Sequence, residues 1–278
     1  MVQSKATWVL TILMLGCSKS SDTAPDSGES AGGDTASTEP KAHETGAPET
    51  DRVYDKVYAH SATTLYQIDP VALTLSVVGD FVWPEAPPDE EMTDIAIDAH
   101  GKMLGVSFRN VYEIDNQTAE CHFLTELSGR FNGLSFVEGV VEGEAVSLVG
   151  TTLDGEWFTL DQTTGEGALV GNFGNGMTSS GDVVFVRDAG AFAIVKHPDF
   201  ETDVLVSVDP TSGEATVIGD TGFSDIWGVG YWAGRIYGFT RAGEFILIDA
   251  ETGAGVLEET MDAEFWGAGV TTLAPVVV

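Results

Sequence analysis

Positive charge is the scarcest commodity in this chain. Twelve lysines and arginines face 44 aspartates and glutamates, for a formal net charge of −32. Nucleic acid phosphates and anionic headgroups repel such a surface, which excludes nucleic acid as a partner. Adaptation to a salty exterior and binding of cations both accommodate this acidity, and composition does not separate them. Cysteine is nearly absent, at Cys17 and Cys121 only. Long apolar runs are missing as well: the longest lies near the N-terminus, between Lys5 and Cys17, and falls short of the roughly 20 residues that span a bilayer. Helical periodicity is not found after residue 50. The chain carries no Gly-x-Ser-x-Gly elbow, no His-Glu-x-x-His and no Cys-x-x-Cys. The five histidines are scattered, which speaks against a zinc cluster.

What is present begins with an address. Lys5, the apolar stretch Ala6 to Gly16 and a small residue form a signal-peptide pattern. Met14-Leu15-Gly16-Cys17 resembles the lipobox of bacterial lipoproteins. That resemblance implies a signal peptide over 1–16, cleavage before Cys17 and lipidation of Cys17. Several acyl chains on one cysteine hold a protein stably, since a single chain is marginal. Ser18, in place of an aspartate, favours the outer membrane by the same resemblance. The protein is then exported and lipid-anchored in the cell envelope, and the anchor is its contact with the membrane. Residues 17–50 are rich in Ser, Thr, Asp, Glu, Gly and Pro, and from Lys19 on hold no aromatic and no aliphatic larger than alanine. Such a segment buries too little surface to offset its ordering entropy, and it reads as a tether.

Residues 51–278 carry five copies of one pattern, anchored by Asp69, Asp115, Asp161, Asp209 and Asp249, with spacings of 46, 46, 48 and 40. Alternating apolar and β-branched residues precede each aspartate and make a strand. The aspartate then opens a turn, Pro70 and Pro210 suit its next position, and Gly165, Gly213 and Gly253 close it. Two more strand-like stretches separate successive copies, as in Thr93 to Asp98 and Met103 to Ser107. Four strands per period of 40–50 residues is the signature of a β-propeller blade. The first copy lacks its first strand, and Phe265-Trp266-Gly267-Ala268-Gly269-Val270, which matches Ile226-Trp227-Gly228-Val229-Gly230, supplies it from the C-terminus. The expected fold is all-β: a five-bladed propeller of four-stranded blades, the first blade closed by the C-terminal strand.

The turns Asp161-Gln162-Thr163-Thr164-Gly165 and Asp249-Ala250-Glu251-Thr252-Gly253 resemble those of quinoprotein-type propellers. In that family a tryptophan follows each turn. Here the strands instead end Val77-Val78-Gly79, Leu169-Val170-Gly171 and Val217-Ile218-Gly219, which counts against a quinone cofactor.

Strand direction divides the polar residues between two faces. Loops leading into innermost strands share a face with the second-to-third strand loops, and the Asp turns lie opposite. On the first face, Asp94, Asn132, Asp182, Asp225 and Glu264 stand near the starts of inner strands. Four of these, Asp94, Asn132, Asp225 and Glu264, form a candidate oxygen-ligand set for Ca²⁺ at the channel mouth. Lactonase-type propellers, which the chain also resembles, hold a cation in their channel in this manner. The same face collects His60, Arg109, His197 and Arg241, with Trp83 as a stacking surface, as a candidate ligand-binding set. Three functions remain open, the last of them a passive envelope protein whose repeats serve packing and whose charge serves solubility. The first is a non-enzymatic module that binds a protein, a glycan or a small molecule at its loop face. The second is a cation-dependent hydrolase or lactonase with channel-bound Ca²⁺.

Overall fold

The computed structural model describes residues 56–84, 90–141 and 143–277. The signal peptide, Cys17 and the tether expected over 1–50 lie outside them. The first blade takes β1 (Val57–His60), β2 (Thr64–Asp69) and β3 (Thr74–Asp80). The second is β4 (Met92–Ile97), β5 (Met103–Ser107), β6 (Asn110–Ile114) and β7 (Cys121–Glu126). The third is β8 (Gly133–Val137), β9 (Ser147–Thr151), β10 (Glu156–Leu160) and β11 (Gly167–Asn172). The fourth is β12 (Thr178–Val186), β13 (Gly190–Lys196), β14 (Val204–Val208) and β15 (Ala215–Asp220). The fifth is β16 (Ile226–Trp232), β17 (Arg235–Thr240), β18 (Glu244–Asp249) and β19 (Gly255–Thr260). The last strand, β20 (Gly267–Val270), returns to the first blade and pairs antiparallel with β1, His60 opposite Gly267 and Val57 opposite Val270. Each blade is thus a four-stranded antiparallel meander. No helix occurs among the described residues. The expected five blades and the C-terminal closure of the first are both present.

The five Asp turns share one geometry. In each, the aspartate carbonyl accepts the N–H four residues on, at 2.8 Å. The carboxylate accepts one or two further backbone N–H groups, from Val71 and Ala72 in the first turn and from Thr163 and Thr164 in the third. Those donors hold the carboxyls of Asp69 and Asp161 below their usual range. The fourth residue after each aspartate has positive φ: Leu73, Ala119, Gly165, Gly213 and Gly253. Three turns thus place glycine where it costs least, and two place an ordinary residue.

Between the third and outermost strand of every blade the register slips once, at Leu65/Tyr66, Val111/Tyr112, Trp157/Phe158, Leu205/Val206 and Phe245/Ile246. A bulge at that place increases the local twist, which suits a blade's outer edge. The glycines ending Val-Val-Gly, Leu-Val-Gly and Val-Ile-Gly have a packing reason. A Cβ on Gly171 or Gly219 would run into the backbone oxygen of Ser212 or Thr252, and one on Gly79 would crowd that of Thr118 at 3.3 Å, each in the Asp turn of the following blade. Where the quinoprotein pattern has a bulky ring between blades, this chain brings two backbones together.

The core lies between blades. The largest apolar cluster joins β1, β2, the fourth and fifth blades and the C-terminal segment through Phe239, Phe245, Ile248 and Phe265. Cys121 is buried and free, and burial pushes its thiol up to about 12, so it is an inert core residue.

Candidate functional site

The innermost strands β4, β8, β12, β16 and β20 bring their N-terminal ends to one level around the axis. At that level stand Asp94, Gly133, Asp182, Gly228 and Gly267, two carboxylates and three glycines. The next residue of each strand points its N–H inward, and all five N–H groups end on the two carboxylates. Asp94 accepts from Ile95 at 2.8 Å and from Leu134 at 2.6 Å. Asp182 accepts from Val183 at 2.6 Å, Val229 at 3.0 Å and Ala268 at 3.2 Å. Both carboxyls are buried, and they lie close enough for each to act on the other's ionisation. Burial pushes Asp94 well above the carboxylate range, and the Asp182 charge pushes it further; burial also raises Asp182, to about 7, against the donors that favour its ionised form. Both carboxyls are thus held above the ordinary range, and the pair keeps a proton more readily than exposed carboxyls do.

His60 closes the cluster. Its Nδ1–H donates to the Ser61 carbonyl at 2.8 Å, and its Nε2 faces Asp94 Oδ1 at 3.8 Å, too far for a hydrogen bond. Nε2 has no partner, and burial pushes His60 down to about 4, so the ring is neutral. The three glycines make room: a Cβ at Gly267 would collide with both His60 Nε2 and Asp94 Oδ1.

One residue nearer the loop face, the strands present Thr93, Asn132, Gly181, Trp227 and Trp266. These five form the floor of a bowl of about 530 Å³, completed by Ser179 and Ser180 and walled by Phe108, Leu153, Lys196, Asp225 and Arg241. Trp266 meets Trp227 edge-to-face at 6.1 Å and Phe108 at 6.2 Å. The charged rim is internally neutralised. Arg241 lies over the Trp227 ring at 4.9 Å and pairs with Glu264 at 2.7 Å. Lys196 bridges the buried Asp203 at 3.3 Å and the exposed Asp225 at 3.4 Å. Ser180 donates to Asp203 at 2.7 Å.

The residues expected to act together are dispersed. Of the oxygen set, Asp94 is in the buried plug, Asn132 is in the bowl floor, and Asp225 and Glu264 stand three positions upstream of the axial level, in surface ion pairs. Among the described residues no group of three or more His, Cys, Asp or Glu side chains is spaced to hold a metal ion. Of the ligand set, only Arg241 lines the bowl. His60 is buried beneath it. Arg109 is exposed in the β5–β6 loop, and His197 caps its own loop by accepting the Asp199 N–H at 3.1 Å. Trp83 packs between Phe81 and Tyr112 at 5.6 and 4.8 Å, away from the bowl. Trp227, Trp266, Phe108 and Leu153 escaped the sequence reading. The first two were visible as matching Trp-Gly pairs, whose tryptophan precedes the axial glycine.

The fold and its loop-face bowl define a five-bladed β-propeller. No protein-family model matches the chain, and no curated protein matches it in sequence. It is similar in fold to several solved structures. One is the computationally designed protein Ika8, at 14% identity and a TM-score of 0.36, over 77% of this chain and 61% of that one. Another is a protein of unknown function from Bacteroides caccae, at 9% identity and a TM-score of 0.42, over 75% of this chain and 73% of that one. A third is an oligogalacturonate lyase in complex with manganese, at 10% identity and a TM-score of 0.39, over 75% of this chain and 62% of that one. The chain spans about three fifths of the length of the first and third. These likenesses bear on no residue of the site.

Proposed function

We propose that this protein is an exported, lipid-anchored binding module that captures an organic ligand in the loop-face bowl and does not transform it. One observation carries the reading: a cavity of about 530 Å³ in which aromatic walls stand beside polar groups, a size and composition suited to a small-molecule or glycan site. The groups nearest to catalytic chemistry are committed elsewhere. Ser180 donates to Asp203, Lys196 is held by two carboxylates, and the Asp94–Asp182 pair is spent on strand N–H groups. The Met14–Cys17 lipobox supports anchorage through Cys17, and the acidic surface suits a domain held off anionic lipid.

The test is tryptophan fluorescence of the full-length protein against a panel of sugars, aromatic acids and peptides, repeated with Trp227→Ala. A saturable change that is lost in the variant, with the ligand recovered chemically unchanged, supports the reading. Binding that persists undiminished in Trp227→Ala, or turnover of the bound compound, overturns it. Radiolabelled palmitate incorporated by wild type and not by Cys17→Ser tests the anchor.

A further inference from the structure

We infer that the ligand of this bowl is a flat aromatic carboxylate, its ring against Trp266 and its charge on Arg130. The inference rests on the bowl being the binding site and narrows what it takes.

Three rings run in contact across the bowl, with a guanidinium at each end. Phe108 meets Trp266 edge-to-face at 6.2 Å, and Trp266 meets Trp227 at 6.1 Å. Arg130 lies over Phe108 at 6.0 Å, and Arg241 over Trp227 at 4.9 Å. Among the described residues no cation lies over Trp266, the middle ring, which is half-buried. The apolar wall is uncovered: Leu153 is 68% exposed and Phe108 is 42% exposed. A flat ring placed on Trp266 covers this surface and has an arginine beyond either neighbouring ring.

The floor turns the choice away from a polyol. Asn132 Nδ2 donates to Ser179 Oγ at 3.1 Å and to the Gly181 carbonyl at 3.3 Å. Ser179 donates to the Gly181 carbonyl, Ser180 to Asp203 and Thr93 to the Val106 carbonyl. None of these four side chains has a donor hydrogen left for a sugar's oxygens. Recognition therefore falls to the rings and the guanidiniums.

The charges select the sign of the ligand. Asp203 and Asp225 hold Lys196, and Glu264 holds Arg241. Arg130 is exposed and has no ion-pair partner among the described residues. Its place beside the bowl is fixed by the chain: it stands two residues before the floor residue Asn132. The loop that carries it is tied to the Phe108 loop, where the Leu127 N–H donates to the Arg109 carbonyl at 2.6 Å. A guanidinium over a ring keeps N–H groups for a carboxylate, which it grips as a fork. Arg241 is open to sharing as well, because an ion pair between exposed side chains is weak. A cationic ring would instead meet arginines already on both outer rings.

The experiment is calorimetry of the full-length protein with benzoate, 2-naphthoate and indole-3-acetate, each against its uncharged primary amide. Wild type is compared with Arg130→Gln, Trp266→Ala and the surface control Lys102→Ala. At least one carboxylate should bind, and its amide should bind tenfold or more weakly. Arg130→Gln should weaken the carboxylate tenfold or more and leave the amide within about threefold. Trp266→Ala should weaken both, and Lys102→Ala neither. The comparison of carboxylate with amide needs only wild type, and Arg130 is an exposed side chain whose loss spares the core. An amide that binds as tightly as its carboxylate, or a carboxylate indifferent to Arg130→Gln, overturns the charge assignment and leaves the bowl standing. So does a sugar or an amine that binds through Trp227 while all three carboxylates fail. No ligand of any class at the bowl overturns both.

Discussion

Asp94 and Asp182 meet at the propeller axis from inner strands that are not neighbours in the ring, and between them they accept the axial N–H of all five strands. This pair ties the ring shut. Asp94 joins β4 to β8, and Asp182 joins β12 to β16 and β20. The bowl sits directly above, so its floor is only as well positioned as the plug beneath it.

The two aspartates are not equivalent under substitution. Asp94→Asn retains a donor toward Asp182 and one acceptor oxygen, leaving at most one strand N–H unmatched, for a loss of about 1–3 kcal/mol. Asp182→Asn removes the carboxylate on which three strand N–H groups converge, and turns an amide N–H toward other donors. Its cost should be larger, about 3–5 kcal/mol. Denaturant unfolding of both variants measures the order, and an Asp182→Asn protein as stable as Asp94→Asn contradicts the view that Asp182 is the larger N–H acceptor of the pair.

On account of the two carboxyls, stability should fall as pH rises from about 4, their ordinary value, through their folded values. A carboxyl held above its ordinary value keeps in the folded state a proton that the unfolded chain has released, so stability is lost as pH climbs toward the folded pKa, about 7 for Asp182 and higher for Asp94. His60 acts oppositely: pushed down to about 4, it withholds stability as pH falls from 6.5, where the unfolded chain takes up the proton. Above about 7.5 His60 is neutral in both states and the surface acids are ionised, so the carboxyls dominate, with a smaller contribution of the same sign from the raised Cys121 thiol. The slope should be about 1.4 kcal/mol per pH unit for each proton held. Unfolding free energies at pH 6.5, 7.5 and 8.5 and constant ionic strength check it, and Asp94→Asn should flatten the slope.

Gly267 is a spatial requirement. A methyl group there meets His60 and Asp94 in a fully packed cluster, and Gly267→Ala should cost about 1–3 kcal/mol. Gly129, where a Cβ meets only the Phe131 ring edge at 3.4 Å, should tolerate alanine within about 0.5 kcal/mol. Melting temperatures of the two variants compare them.

Calcium should act only as salt. With Asp94, Asn132, Asp225 and Glu264 dispersed, millimolar Ca²⁺ and ionic-strength-matched NaCl should raise the melting temperature equally by screening the acidic surface. A rise with Ca²⁺ alone would restore a specific site.

The architecture was legible because it is written in repetition. Asp69, Asp115, Asp161, Asp209 and Asp249 mark five turns through short-range chemistry, and the Phe265–Val270 match to Ile226–Gly230 announced the closing strand. The site was less legible because it depends on register across blades. Asp94 and Asp182 share the axial level with Gly133, Gly228 and Gly267, so the equivalent of an aspartate is a glycine, whereas the carboxylates Asp225 and Glu264 lie three residues away on the surface. A search for like residues at strand starts therefore gathered acids at different depths. Trp83 drew attention as an exposed-looking ring in a long loop, but Phe81 and Tyr112 take it up. The bowl's own rings, Trp227 and Trp266, were hidden among residues that read as strand.

The most direct test of the loop face as the functional face is hydrogen–deuterium exchange of the full-length protein with and without a saturating ligand from the panel. Protection should gather at residues 107–110, 130–133, 151–154, 178–181, 225–227 and 264–267, which surround the bowl, and should leave the Asp turns at 69–73, 115–119, 161–165, 209–213 and 249–253 unchanged. Protection confined to those turns would place the ligand on the opposite face and contradict the account.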